Sequence, residues 1–327
     1  MLQATLARAR SLTSEDRILV IAERVHLSEV ARQLSDFPKA KLIQEPFGRN
    51  TAAACGLGAI FVERHEKDAV IVVLPADHII SDYRRFSSCI RLCSKVAKEN
   101  KALVTIGIKP TYPATGYGYI KIVTSNQKPV TRRKNRIFKV ERFVEKPDKR
   151  AAERFLKSAN YLWNSGIFVW RTKVILGEIQ KHLPRLSKGL KRIREALGTR
   201  SQEEVIEKVY RGISPVSIDY GVMEKARDTF CVKANFGWDD CGSWASLERL
   251  HRPDKDGNIF LGNVESVDTK GSIIFGSKDK LVATIGVKNL IVVNTDDATL
   301  VCHKERAEDV KRLVENLGKK GRYKRYL

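Results

Sequence analysis

Asp77 and His78 follow closely on a run of six apolar residues, Ala69 to Leu74, that stops at Pro75. A short apolar run rich in β-branched residues and ended by a breaker predicts a fully buried central strand. In open α/β sheets, ligands bind in the crevice beyond the carboxyl ends of the strands. Asp77 therefore stands where a metal ligand or general base would sit. It stands equally where an Asp would cap the next turn or helix. Further groups able to do chemistry lie downstream. Asp239 and Asp240 occupy a tight, glycine-bounded turn, and Glu145 and Lys146 end a strand-like stretch. Taken alone, Glu145 and Lys146 read as a surface ion pair. Asn164 alone reads as a turn residue, and Asp219 as a helix cap.

The elements around these residues alternate. ILVIA (18–22) reads as a buried strand, 25–34 as an amphipathic helix, and AKLIQE (40–45) as a strand that stops at Pro46. GRN then leads into TAAACGLGAIFVERHEK, a helix with Asn50 or Thr51 as its N-cap and small residues that permit close packing. A helix near 86–97 and the strand LVTIGI (103–108) follow. This alternation predicts an α/β fold, a Rossmann-like, mostly parallel sheet with helices on both faces. Residues 109–118, KPTYPATGYG, form an irregular loop, followed by two longer strands, a helix over 149–158 and the strand NSGIFVWR (164–171). After His251 come short strands with Gly and Asp turns, which predict a small β-helix-like unit. The expected organisation is 1–252, 253–302, and a helix with a basic tail over 303–327.

The chain has 327 residues, 43% hydrophobic and 30% charged, as a globular protein has. No apolar run approaches the roughly 20 residues that span a bilayer. The start lacks the apolar core of a signal peptide, so a cytoplasmic location is the default. Six scattered cysteines without a CxxC pair read as reduced thiols. The net charge of +22 suits either a polyanion binder or an enzyme of phosphorylated small molecules. Basic residues are densest over Lys128–Arg150 and Lys319–Arg325, without the aromatic alternation of a nucleic-acid platform. Nucleic acid is therefore the disfavoured partner.

Seven motifs occur in order: EPFGRNTAAA, LPADHII, PATGYGYI, FVEKPD, LWNSGIFVW, SIDYGVMEKA and GWDDCGSW. Together they resemble the sugar-nucleotide pyrophosphorylase family, and within it the mannose-1-phosphate guanylyltransferases. The resemblance implies a nucleotide-diphospho-sugar transferase fold with a small C-terminal β unit. It also implies transfer of GMP from GTP to mannose 1-phosphate, giving GDP-mannose and pyrophosphate. Both reactants are polyanions, so such a reaction needs positioning and charge neutralisation. By the same resemblance, Asp77 and Asp240 hold Mg²⁺, with Asp239 left as an exposed turn acid. Lys146 meets the sugar phosphate, and together with the two aspartates it forms the catalytic set. The backbone of Gly116 approaches the hexose, whose hydroxyls meet Glu145 and Asn164, with Asp219 beside them. Glu45, Gly48, Asn50 and Thr51 read the guanine, and Arg49 faces phosphate or solvent. A homo-oligomer is compatible with all of this.

One segment of the family pattern is missing from this sequence. The family opens with a strand, a GGxGTRLWP-type loop that cradles phosphates, and a PKQ-type lysine. MLQATLAR (1–8) resembles the helix that follows them. A start placed at an internal Met is the expectation, because every later motif is intact. The alternatives are a relative that binds sugar nucleotides without turnover, and a polyanion-binding protein.

Overall fold

The computed structural model describes residues 1–124, 136–242 and 244–326. The basic residues expected over 128–135 lie outside these. The chain divides into two compact units, Met1–Trp238 and Asp239–Leu327.

The first unit begins with α1 (Leu2–Arg10), β1 (Leu19–Glu23), α2 (Leu27–Gln33), β2 (Lys41–Glu45) and α3 (Asn50–His65). It continues through β3 (Val70–Val73), β4 (Ile79–Ile80), α4 (Tyr83–Asn100), β5 (Leu103–Ile108), β6 (Tyr119–Ile122) and β7 (Ile137–Val144). Then come α5 (Lys149–Lys157), β8 (Tyr161–Arg171), α6 (Thr172–His182), α7 (Pro184–Ala196), α8 (Gln202–Gly212) and β9 (Thr229–Ala234). The two-residue strand β10 (Trp238–Asp239) lies where the chain divides.

Local chemistry starts these helices where the sequence allows. The Asp82 carboxylate accepts from the Arg85 amide at 2.9 Å, and Asp148 does the same for Ala151 at 2.7 Å. Both are N-caps that satisfy an otherwise orphaned donor. Pro184 opens α7, where a missing N–H costs nothing.

A six-stranded sheet runs in the order β3-β8-β5-β9-β7-β6. Strands β3, β5, β6 and β9 point one way, and β7 and β8 the other. The mostly parallel sheet expected from the alternation is thus mixed, because long β8 is inserted antiparallel between β3 and β5. Successive β8 residues serve opposite faces, as a pleated strand requires. Ile167 and Val169 pack with Phe86, Ile90 and Val96 of α4. Phe168 and Trp170 pack with Leu57, Ile175, Ile179 and Leu190 of α3, α6 and α7. Helices therefore cover both faces.

Two expectations need correction. The run Ala69–Leu74 is not a central strand: β3 is the edge of its sheet, and its four residues are only half-buried. ILVIA likewise lies in a separate two-stranded parallel sheet, β1 with β2, and all five residues of β1 are half-buried. Among the described residues each strand pairs on one side alone. Apolar content announced burial on both faces, but it carries no information about lateral neighbours.

The second unit contains α9 (Leu247–Leu250), β11 (Ile259–Leu261), β12 (Val264–Val267), β13 (Ile273–Gly276), β14 (Val282–Ile285), β15 (Leu290–Asn294), β16 (Thr299–His303) and α10 (Val310–Gly318). Strands β11, β13 and β15 stack in parallel, with Ile259, Ile273 and Ile291 in register. β12 pairs in parallel with β14, and β16 closes the larger sheet antiparallel to β15. This is the coil expected from the short strands and turns. Trp244, Leu247 and Ala307 pack on the isoleucine ladder. The two compact units divide at 238/239, and the segment after 303 lies in the second. Among the described residues no helix is long and apolar enough to cross a membrane.

Candidate active site

Glu23 and Glu45 end β1 and β2 in register, which sets two carboxylates side by side at the carboxyl ends of the strands. Glu45 is 7% exposed, and the Tyr210 hydroxyl donates to its Oε1 at 2.8 Å. Burial pushes the Glu45 pKa up, and the Glu23 charge adds to the shift. Glu45 is thus covered by α8, with its Oε1 engaged by Tyr210. A Cβ at Gly48 would strike the Glu23 carboxylate, so the loop passes too close for a side chain there.

Asn50 starts α3 with φ +63°, a left-handed conformation that Asn tolerates. Its Oδ1 accepts from the Thr51 amide at 2.7 Å. Thr51 Oγ1 accepts from the Ile218 amide at 2.8 Å, and the Ala52 amide donates to the Val216 carbonyl at 3.1 Å. Arg49 is half-buried and tied to α8 and to its own loop. Its Nε donates to the Tyr210 carbonyl at 2.7 Å, and its guanidinium lies 4.6 Å from the Phe47 ring centre. The loop 45–51 is therefore fastened to 210–218, immediately before Asp219.

The middle motifs converge. Asn164 on β8 is buried, and its Nδ2 donates to Asp219 Oδ1 at 2.8 Å. Its own Oδ1 accepts from Thr105 at 3.0 Å, which fixes which way the amide points. Asp219 opens a π-helical turn, Asp219–Met223. Burial raises its pKa. Glu145 comes from the end of β7, 13% exposed, and a Cβ at Gly118 would strike its carboxylate and sit 3.3 Å from Asn164 Cβ. Burial and then the Asp219 charge push the Glu145 pKa up to about 7, against the pull of Lys146. Lys146 Nζ lies 3.8 Å from Glu145 Oε1, with its side chain mostly in solvent and φ at +45°. Such a backbone conformation costs on the order of 1–3 kcal/mol and is retained where the site demands it. Gly116 is exposed, lacks a positive φ, and has nothing within 4 Å of where a Cβ would stand. Cys55 joins the two halves: burial, with Asp219 and Glu45 nearby, pushes its thiol up to about 12.

Asp77 lies beyond β3 with 73% of its side chain exposed. His78 Nε2 is 4.0 Å from its Oδ1, while His78 Nδ1 accepts from Trp238 Nε1 at 3.2 Å. That bond makes Nε2 the protonated nitrogen of a neutral ring. Gly166, two residues from Asn164, faces Pro75 and His78.

In the second unit, Asp239 is buried, not the exposed acid expected of it. Arg249 donates to it through Nε and, at 3.1 Å, through Nη2. The Cys241 amide adds a bond at 3.0 Å. Asp240 Oδ1 accepts from the Gly242 amide at 3.1 Å. Among the described residues no cluster of three or more His, Cys, Asp or Glu side chains could hold a metal ion. Isolated carboxylates suit a hard cation that keeps water and phosphate oxygens as its other ligands, which is how Mg²⁺ is usually held.

Sequence reasoning did not single out Glu23, Thr105, Gly118 or Tyr210. Tyr210 lies 165 positions from Glu45, and only its place on the apolar face of an amphipathic helix distinguished it.

This geometry belongs to a known class. The nucleotidyl transferase family model matches residues 1–257, and the chain belongs to that family. A MannoseP isomerase/GMP-like beta-helix domain matches residues 262–317. The mannose-1-phosphate guanylyltransferase of Klebsiella pneumoniae is 38% identical over 331 residues, 100% of this chain and 69% of that protein. The xanthan biosynthesis protein XanB of Xanthomonas campestris pv. campestris is 39% identical over 325 residues, 98% of this chain and 67% of its own length. A crystal structure described as mannose-1-phosphate geranyltransferase, from Thermus thermophilus, superposes with a TM-score of 0.83 at 33% identity. The match covers 97% of this chain and 89% of that one.

Proposed function

We propose that this enzyme transfers GMP from GTP to mannose 1-phosphate, releasing pyrophosphate. The observation that carries this reading is the convergence of Glu145, Lys146, Asn164 and Asp219 beside Gly118, two residues from the exposed Gly116, in a nucleotidyl transferase whose relatives are named for this activity. A sugar-phosphate oxygen attacks the α-phosphorus in line as the bond to the β-phosphate oxygen breaks. Asn164, Glu145 and Asp219 bind hexose hydroxyls, and Lys146 sets its charge against the sugar phosphate. Gly48, Asn50 and Thr51 face the base. Asp77 and Asp240 are the carboxylates for Mg²⁺, which when bound neutralises phosphate charge and orients the α-phosphoryl group.

Pyrophosphate release is measured with each nucleoside triphosphate and hexose 1-phosphate, with and without Mg²⁺. It is run on this chain and on a form carrying a GGxGTRLWP-type segment ahead of Met1. Mg²⁺-dependent release with GTP and mannose 1-phosphate is expected. Turnover confined to UTP or dTTP would remove the guanylyl assignment, and activity in neither form would remove the catalytic one.

A further inference from the structure

Two polar side chains on α1 face the turn that carries Asp77. Thr5 and Arg8, one helical turn apart, are 6% and 4% exposed, whereas Leu6 packs with Ile18, Leu34 and Phe37 on the other side. Thr5 Oγ1 donates to the Ala76 carbonyl at 3.2 Å, and Arg8 Nη2 donates to the His78 carbonyl at 2.9 Å. These carbonyls flank Asp77. Arg8 Nη2 also donates to Thr5 Oγ1, which ties the two side chains together. Trp238 adds a third tether through the His78 ring. A buried guanidinium normally finds a carboxylate, since an uncompensated buried charge is costly. Among the described residues no carboxylate reaches Arg8, and its Nε has no partner. Burial pulls its pKa down, and Tyr83 opposes that shift. The Nη2 hydrogen bonds go to the helix's own Thr5 and to the turn. The turn is thus held on both sides of Asp77, while the Asp77 carboxylate itself projects into solvent.

We propose that Thr5 and Arg8 are positioning residues that hold the Asp77 turn ready to take a divalent cation, an inference that rests on the function proposed above. Backbone carbonyls on either side of a ligand fix where its carboxylate points. Outer contacts of this kind are typically worth about 10–100-fold in metal affinity or activity. The unliganded carboxylate is then oriented before the metal arrives, and the cation need not order the turn. The sequence signal is modest: a Thr and an Arg at i, i+3 on the buried side of a helix that has apolar residues enough for its core.

The test compares wild type with Thr5→Val, Thr5→Ser and Arg8→Met, using Mn²⁺ as the probe. Mn²⁺ binding is followed by electron paramagnetic resonance, and amide exchange at residues 76–80 is measured in the metal-free protein. Thr5→Val is expected to weaken Mn²⁺ binding and raise the Mg²⁺ concentration for half-maximal turnover by roughly 10-fold. The KM for the sugar phosphate should stay unchanged. Exchange at Asp77 and His78 should accelerate while that of β5 and β9 stays at the wild-type level. Thr5→Ser, which keeps the hydroxyl, should restore both. If Arg8→Met does not fold, Thr5→Val decides alone. Wild-type Mn²⁺ affinity or wild-type exchange in Thr5→Val overturns the proposal. Wild-type protein without Asp77-dependent metal binding would instead refute the metal reading, and the exchange data would then judge the tether by itself.

Discussion

The Asn164 amide donates to the Asp219 carboxylate at 2.8 Å and thereby joins the central strand β8 to the turn that follows the loop fastened to α3. One oxygen of the carboxylate is held in place, and the amide is held in turn by Thr105. Replacing Asn164 with Ala leaves a buried carboxylate short of a donor, at about 1–3 kcal/mol. We expect a lower melting temperature and a kcat/KM for the sugar phosphate reduced at least about 10-fold, a factor equivalent to about 1.4 kcal/mol. Steady-state kinetics beside calorimetry checks both.

Glu145 gives the protein a pH signature. Its pKa is raised to about 7, above its value in the unfolded chain. Between the ordinary carboxyl range and pH 7 the unfolded chain releases this proton and the folded chain keeps it. Stability therefore falls as pH rises through that window and levels off above it. Glu145→Gln removes the fall. Relative to wild type, its melting temperature should be higher at pH 8 than at pH 4, the difference growing between the ordinary carboxyl range and pH 7.

The paired aspartates of the GWDDCGSW turn should separate cleanly. Asp239→Asn strips the charge from a buried partner of Arg249 and is expected to destabilise the second unit by roughly 1–3 kcal/mol. Asp77→Asn, at an exposed side chain, should leave the unfolding free energy within about 0.5 kcal/mol of wild type, and Asp240→Asn, which keeps an acceptor for the Gly242 amide, within about 1 kcal/mol. Both should abolish Mg²⁺-dependent pyrophosphate release. Denaturation curves and a pyrophosphate assay distinguish the two classes.

Two glycines in one loop should answer differently to alanine. At Gly118 a Cβ meets the Glu145 carboxylate at 2.4 Å and would displace it, so Gly118→Ala should lower activity. At Gly116 nothing in the protein occupies the space. Gly116→Ala should keep the melting temperature and raise the KM for the sugar phosphate. Unchanged KM in Gly116→Ala would place the hexose elsewhere.

The convergence of Glu145, Lys146, Asn164 and Asp219 was legible because each sits in a motif whose order in the chain is distinctive. The sheet's lateral order was not. Val70–Val73 is more uniformly apolar than Leu103–Ile108, which contains Thr105 and Gly107, yet β3 is an edge strand and β5 lies between β8 and β9. Hydrophobic content reports faces and not neighbours. The burial of Glu45 was not legible for a related reason, since the hydroxyl that covers it comes from a helix far along the chain. Asp239 looked like an exposed turn acid because its partner, Arg249, lies ten residues on, past a tight turn.

Ile259, Ile273 and Ile291 occupy the same position on three successive turns of the C-terminal coil. Each turn contacts chiefly the turn above and below, as in other repeat architectures. The coil is therefore modular in whole turns. Removing or adding a complete turn preserves the register of those that remain, whereas a one-residue change inside a strand turns the side chains after it in that strand to the opposite face. Length can thus be varied in this part of the molecule by whole turns or in the loops, but not inside the strands.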